Sequence, residues 1–157
     1  MANTLFPLAR EGFLAGEIDW DTAVIKVALV RGYTYDAADK FVSDVTSGGG
    51  TLHVTSAALT SKTVTGGTAD AADVTFTAVT ADAADHDILI FQASAVGGGA
   101  DVAATAQRVI AIIDTGTNIP VVPNGGDVTI AWDNGANKIF TDRKSVVEGK
   151  SVDLGGG

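Results

Sequence analysis

The stretch "DILIFQA" (Asp87–Ala93) is the part of the sequence that decides the fold class. It is rich in Ile and begins at Asp, which is typical of a central strand of a β-sheet. The stretch "RVIAIID" (Arg108–Asp114) has the same character. "AVIKVALV" (Ala23–Val30) is a near-continuous apolar run with many β-branched residues, as in a well-buried strand. Together the three stretches predict the centre of a sheet.

Shorter strands are predicted at regular intervals around this centre. The stretch Asp73–Val79 alternates cleanly, with Val74, Phe76 and Ala78 on one face. The stretch Val102–Arg108 fits a strand or a turn of helix equally well. The segment "DAADKFVSDV" favours a helical turn. Two further strands are predicted at Leu52–Thr55 and Lys62–Thr65.

A hairpin is predicted near the end of the chain. "DVTIAW" places Val128, Ile130 and Trp132 on one face, and "ANKIF" would form the returning strand. Asn134 and Gly135 between them tolerate the positive φ angles that a two-residue hairpin turn needs. The sequence therefore predicts that these two stretches pair with each other.

The opening stretch "NTLFPLAREGFLAG" (3–16) predicts a short amphipathic helix. Asn3 or Thr4 can cap its start, and Gly16 suits its end. With about seven or eight short strands, this helix predicts a mainly β protein. We expect a single antiparallel β-sandwich or barrel-like domain with a short N-terminal α-helix, spanning residues 1–140.

Charge and composition exclude several classes of partner. The formal net charge is −9, which disfavours nucleic acid and anionic membranes because both are bound through Lys and Arg. There is no cysteine, hence no disulfide, thiolate metal site or cysteine nucleophile. We expect neither a nucleic-acid partner nor a membrane partner.

The side chains that carry chemistry are scattered along the sequence. His53 and His86 lack a second histidine at ligand spacing, so surface or hydrogen-bonded histidines are expected. A group of aspartates could supply calcium ligands if its two segments met in space, but it lacks the calcium-loop spacing. We expect the members of this group to be solvent-exposed turn residues; they are Asp70, Asp73, Asp82, Asp85 and Asp87. We therefore expect no catalytic residue, no cofactor and no metal ligand.

Three stretches of the sequence resemble short structural proteins of tailed bacteriophages. They are "MANTLFPLAREGFLAGEIDWDTAVIKVALV", "KTVTGGTADAADVTFTAVTAD" and "PNGGDVTIAWDNGANKIF", and the resemblance runs from Met1 to Phe140. It implies a non-enzymatic virion component, assembled in the host bacterial cytoplasm, whose partners are other virion proteins and copies of itself. The head surface, as a decoration or accessory protein, is the leading expectation, with the tail or connector second.

The final stretch, residues 141–157, differs in composition from the rest. "DRKSVVEGKSVDLGG" resembles the translation of a sequencing-library adapter. We therefore expect this stretch to be disordered and foreign to the native protein, with a flexible C-terminal linker as the alternative.

Two pairs of residues are candidates for contacts with partners. The predicted helix carries Leu5, Ala9 and Phe13 on one face, which leaves Phe6 and Leu8 pointing elsewhere. We expect Phe6 or Leu8 at a subunit contact. The alternative function is a carbohydrate- or receptor-binding adhesion module, for which Tyr33 and Tyr35 in "RGYTYD" are the candidate ligand-facing aromatics.

Overall fold

The computed structural model describes residues 3–141. Of the stretch predicted to be a disordered and foreign tail, 141–157, Thr141 belongs to the last strand, and residues 142–157 lie outside the described residues. Two helices and twelve strands are found in this part of the chain. In chain order they are β1 (Thr4–Leu5), α1 (Pro7–Ala15), β2 (Ile25–Arg31), α2 (Val42–Ser47), β3 (Thr51–Thr55), β4 (Thr63–Thr65), β5 (Thr68–Asp70), β6 (Val74–Phe76), β7 (His86–Gln92), β8 (Ser94–Ala95), β9 (Gly98–Asp101), β10 (Arg108–Ile113), β11 (Val128–Ile130) and β12 (Phe140–Thr141).

A five-stranded antiparallel sheet forms the centre of the molecule, in the order β1-β10-β7-β2-β3. The three apolar stretches predicted as central strands are β7, β10 and β2, and this prediction is confirmed. Nearly every residue of β2 and β7 is buried, on both faces of the sheet. This explains why their sequences are continuous apolar runs rather than alternating ones.

Smaller antiparallel sheets surround the central one. They pair β6 with β11, β5 with β4 and β12, and β8 with β9. The protein is mainly β and sandwich-like, and it does not close into a barrel. The predicted fold class, an antiparallel β-sandwich with a short N-terminal helix, is therefore confirmed.

Helix α1 begins later than the sequence predicts. Phe6 is its N-cap residue and Pro7 its first residue, and Gly16 ends it in the left-handed conformation as predicted. Asn3 does not cap the helix. Its side chain bonds the backbone of Asp114 and Thr115 instead, which fastens the start of the chain beside β10.

The predicted C-terminal hairpin is wrong. Strand β11 pairs with β6, and β12 pairs with β5, so the two stretches do not pair with each other. Trp132 accounts for the difference because its backbone N–H bonds the carboxylate of Asp73 and its indole N–H bonds the carbonyl of Ala72. Gly135 does not have a positive φ angle, and Asp133 accepts its N–H in a turn within the loop.

The alternation predicted for residues 73–79 ends at Phe76. Val74 and Phe76 are buried as predicted, but Ala78 is exposed and has a φ of 47°. Its N–H bonds the carboxylate of Asp127, and the reversal of the chain there buries Val79 instead. Of the undecided stretch Val102–Arg108, residues 102–107 form a turn between β9 and β10, and Arg108 is the first residue of β10.

Candidate functional site

Three side chains that the sequence scatters converge at one end of the central sheet. His53 lies on β3, His86 is the first residue of β7, and Asp82 lies in the loop before it. Their ligand-type atoms, namely one nitrogen of each imidazole and one carboxylate oxygen, all lie within 4.8 Å of one another. The two imidazole rings meet edge to face, with centroids 4.8 Å apart.

A β-bulge directs His53 towards this point. Along β3 the pairing moves from Leu52 opposite Val30 to Val54 opposite Leu29, so that His53 is the extra residue. A bulge of this kind changes the direction of a side chain relative to its strand and is common beside functional sites. His86 is fixed differently, by an isolated bridge in which its backbone exchanges two hydrogen bonds with Val121.

Hydrogen bonds to the backbone determine which nitrogen of each ring carries a proton. Nδ1 of His86 lies 2.8 Å from the carbonyl oxygen of Ala84, and Nε2 of His53 lies 2.9 Å from that of Thr80. A carbonyl oxygen only accepts, so each of these nitrogens donates an N–H. The other nitrogen of each ring faces Asp82, whose Oδ2 is 3.7 Å from both.

The third group is the carboxylate of Asp82. Its Oδ1 accepts the N–H of Ala84 at 2.9 Å, and its Oδ2 lies 2.9 Å from the guanidinium of Arg31. The pKa of Asp82 is held below its usual value, first by the bond from the Ala84 backbone and then by the positive charge of Arg31. The carboxylate is therefore ionised at neutral pH.

Access to the cluster differs between its members. The side chains of His53 and Asp82 are 15% and 16% exposed, whereas His86 is fully buried. Among the described residues, Nε2 of His86 has no hydrogen-bond partner. Two imidazoles and a carboxylate are the ligand types that zinc and similar divalent metals bind.

His53 and His86 are both hydrogen-bonded, which agrees with one of the two environments that the sequence predicts for them. The absence of ligand spacing in the sequence did not reveal that their rings are in contact. A search for ligand spacing could not find this pair because the residues come from different strands and a bulge brings them together. One feature of the sequence did point to the cluster. Asp82 and His86 are four residues apart, immediately before a clearly predicted strand.

The other aspartates of the predicted acidic group do not join this cluster. Asp73 caps the backbone of Trp132, and Asp70 lies 3.5 Å from the ammonium of Lys138. The pKa of Asp87 is raised, chiefly by burial and then by the charges of neighbouring carboxylates. Within residues 3–141, His53, Asp82 and His86 are the one group of three or more potential metal ligands.

The candidate ligand-facing aromatics, Tyr33 and Tyr35, are half-buried and packed against the core. Tyr35 stacks on Phe6 with ring centroids 5.3 Å apart. The hydroxyl of Tyr33 donates to the carboxylate of Asp39 at 2.7 Å, and burial together with this bond raises the pKa of Tyr33. Both rings thus have packing partners inside the protein.

The candidate subunit contacts have different outcomes. Phe6 is fully buried, so the prediction that it lies at a contact is wrong for the folded chain. The reason is that Phe6 precedes the helix and its ring enters the core against Tyr35. Leu8 is half-buried, and its role in a contact stays a prediction. The most exposed large apolar side chain of α1 is Leu14, at 89%.

A second polar feature lies at the opposite end of the central sheet. Arg108 is buried and binds the carboxylate of Glu17 and, at 2.6 Å, the carbonyl oxygen of Leu8. Its guanidinium also lies 5.8 Å from the centre of the Phe41 ring. Glu17, Phe41 and Arg108 border an open cleft of about 480 Å³. Since Glu17 neutralises its charge, Arg108 fastens helix α1 to β10.

Comparison with models of known families, with curated proteins and with solved structures finds no match to this chain. Neither helix of the described region has the length and apolar character needed to cross a membrane.

Proposed function

We propose that this protein is a non-enzymatic structural protein of a tailed-bacteriophage virion, on the head as a decoration or accessory protein, with the tail or connector as second location. The proposal starts from the resemblance of three stretches of sequence to such proteins. The observation that supports it is that these stretches, far apart in the chain, contact one another and contribute the strands of two of the three smaller sheets.

The first and third stretches meet through aromatic side chains. Phe140 packs edge to face on Trp20, with ring centroids 5.2 Å apart, and lies 5.9 Å from the ring of Phe13. The indole N–H of Trp20 bonds the carbonyl oxygen of Asp70, which belongs to the second stretch. Trp20 therefore contacts both of the other stretches.

The second and third stretches are joined by main-chain pairing. Val128 to Ile130 pair with Phe76 to Val74, and Phe140 pairs with Ala69. The residues that carry the resemblance thus contribute the strands of two of the three smaller sheets, β6–β11 and β4–β5–β12. A resemblance in such residues supports the proposal, because local sequence patterns that agree with the whole fold are the ones that specify it.

Helix α1 offers a surface for docking on a neighbouring virion protein. Leu14 is 89% exposed on this helix, and the half-buried Leu8 lies on its first turn. A virion surface repeats the same partner many times, so a small apolar contact of low affinity becomes effective through multivalency. The role of Leu14 extends the predicted contact at Leu8.

Particles of the phage that encodes this chain provide the test. Mass spectrometry of purified virions should find the protein in many copies, and labelling should place it on the head. Leu14→Asp should leave the protein folded but reduce its incorporation. Val64→Asp is the matched control, since Val64 is 57% exposed on β4, away from α1, and should incorporate normally.

Absence of the protein from purified particles, with the chain recovered only from the lysate, would refute the virion role. Normal incorporation of Leu14→Asp would refute the docking surface alone.

A further inference from the structure

We propose that Nδ1 of His53, Nε2 of His86 and Oδ2 of Asp82 form a three-ligand binding site for a divalent transition-metal ion, with Zn²⁺ as the best match and a fourth position open to water. This site stands independently of the virion role. It departs from the sequence-based expectation of no metal, because that expectation rested on the spacing of histidines and aspartates along the sequence.

The first argument is the kind of atom that converges. The outer nitrogens of both rings donate to backbone carbonyls, so the inner nitrogens present lone pairs. The carboxylate of Asp82 also presents lone pairs. Acceptors cannot satisfy one another, and Nε2 of His86 is fully buried without a hydrogen-bond partner among residues 3–141. A buried acceptor of this kind is costly unless a cation or donor reaches it.

The second argument is the support behind each ligand. Metal-binding histidines generally donate their other N–H to a backbone carbonyl or carboxylate, which fixes the tautomer and aims the lone pair at the metal. Both histidines have this arrangement, to the carbonyls of Thr80 and Ala84. The N–H of Ala84 in turn holds Asp82, so one loop supports all three ligands.

The third argument is distance. Zinc bonds of about 2.0–2.2 Å in a tetrahedral site place the ligand atoms about 3.4 Å apart. The two separations between a histidine nitrogen and Asp82 Oδ2 are 3.7 Å, and no pair exceeds 4.8 Å. A small rotation of His53, whose side chain is partly exposed, closes the remaining gap.

An ion pair between protonated histidines and Asp82 fits the geometry less well. An imidazolium N–H donating to a carboxylate lies about 2.7–2.9 Å from the oxygen. Both separations here are 3.7 Å, longer than any hydrogen bond of that type.

Arg31 is the competitor of the metal. Its guanidinium lies 2.9 Å from the same Oδ2 of Asp82, and its side chain is 43% exposed. It can therefore turn outwards into solvent when a metal binds. Two cations that share one carboxylate oxygen repel each other, so Arg31 lowers the metal affinity of the site.

The experiment is calorimetric titration of the folded, tag-free chain with ZnCl₂ near neutral pH, with Co²⁺ absorption as a second readout. We expect one equivalent of zinc to bind with a Kd below about 10 µM and to raise the melting temperature. Tetrahedral d–d bands of bound Co²⁺ would report the four-coordinate geometry expected for three protein ligands and a water. No binding of zinc to the folded wild-type chain would overturn the site.

Variants separate the site from unspecific binding. His53→Ala and Asp82→Asn should each weaken zinc binding at least tenfold. Loss of a group that supports a metal ligand generally weakens binding roughly 10–100-fold, and loss of the ligand itself should do at least as much. Asp85→Asn is the matched control, because Asp85 is exposed in the same loop. This substitution should change the affinity for zinc less than about twofold. Equal affinities in all three variants would overturn the site.

Arg31→Gln distinguishes a metal site from a purely structural cluster through its effect on the affinity for zinc. Removing the competing guanidinium should strengthen zinc binding several-fold. A weaker affinity in this variant would mean that Arg31 is needed to build the cluster and would contradict the proposed competition.

Discussion

Two buried polar groups lie at opposite ends of strand β7 and are satisfied in opposite ways. His86 begins the strand, and Arg108 pairs with Gln92 at its end, about 20 Å away at the usual rise per residue. At the Arg108 end a donor meets acceptors, the carboxylate of Glu17 and the carbonyl of Leu8. At the His86 end three acceptors converge.

The contrast between these two ends of β7 distinguishes a structural link, at Arg108, from a proposed binding site, at His86. Arg108 is neutralised and hydrogen-bonded through its two terminal nitrogens, although its buried Nε has no partner among the described residues, and its removal is expected to damage the fold. At the His86 end the guanidinium of Arg31 reaches Asp82 but leaves the buried Nε2 of His86 without a partner among the described residues, so changes to the cluster should cost the fold less than they cost binding. Four predictions test this contrast, from the largest expected effect to the smallest.

Arg108→Ala should lower the free energy of unfolding by about 3 kcal/mol, since it removes a buried stem and the link between α1 and β10. Urea denaturation followed by circular dichroism measures the change. Arg10→Ala, on the exposed face of α1, should stay within about 0.5 kcal/mol. Equal losses in the two variants would show that Arg108 is not a structural link.

Gly12→Ala should destabilise the protein by about 2 kcal/mol, although Ala is normally the better helix former. A Cβ at Gly12 would lie 2.7 Å from Nη2 of Arg108 and 2.8 Å from Cδ1 of Ile18. The same denaturation experiment applies. The control is Gly97→Ala, where a Cβ would have no atom within 4 Å, and a similar loss there would contradict the steric cause.

Asp82→Asn, with chelator present, should lower the melting temperature by less than about 4 °C, since a partly exposed pair with Arg31 contributes little. In saturating zinc the gap from the wild type should widen, because zinc stabilises only the chain that binds it. Differential scanning calorimetry under both conditions makes the comparison. If the difference in melting temperature between variant and wild type is the same with zinc and with chelator, Asp82 has a structural role only.

Thr22→Val should raise the pKa of Asp19, a carboxylate near the Arg108 end that is also satisfied by donors. Its pKa lies below the usual value, first because the Thr22 hydroxyl donates to it and then because of the Thr22 N–H. A lowered pKa in the folded state stabilises the protein above the unfolded value near 3.9, and this contribution is lost as pH falls through the folded pKa.

Carboxyl NMR titration of wild type and variant measures this shift directly. The variant should also lose less stability than the wild type on going from neutral pH to about pH 3. An unchanged pKa would mean that the backbone donors alone hold the carboxylate.

The central sheet could be predicted because its signal is local. Burial of β2, β7 and β10 on both faces requires continuous apolar sequence, and such runs are visible without knowledge of their partners. Gly16 was likewise readable as the end of α1, because a left-handed residue there favours glycine.

The edges of the structure could not be predicted because they depend on distant partners. Asn134 and Gly135 have the composition of a hairpin turn, yet Asp73 draws Trp132 to the neighbouring strand. Ala78 ends an alternating pattern because Asp127, remote in sequence, holds its N–H. These arrangements depend on hydrogen bonds between residues about 50 or more apart in the sequence.

The sequence by itself determined the fold class, the central strands and the short N-terminal helix, because periodicity and apolar content are properties of neighbouring residues. Only the tertiary structure decided which small strands pair, that Phe6 belongs to the core, and that His53, Asp82 and His86 meet. The reason is that a bulge in β3, the loop before β7 and two backbone carbonyls must all be in place before their lone pairs face one point.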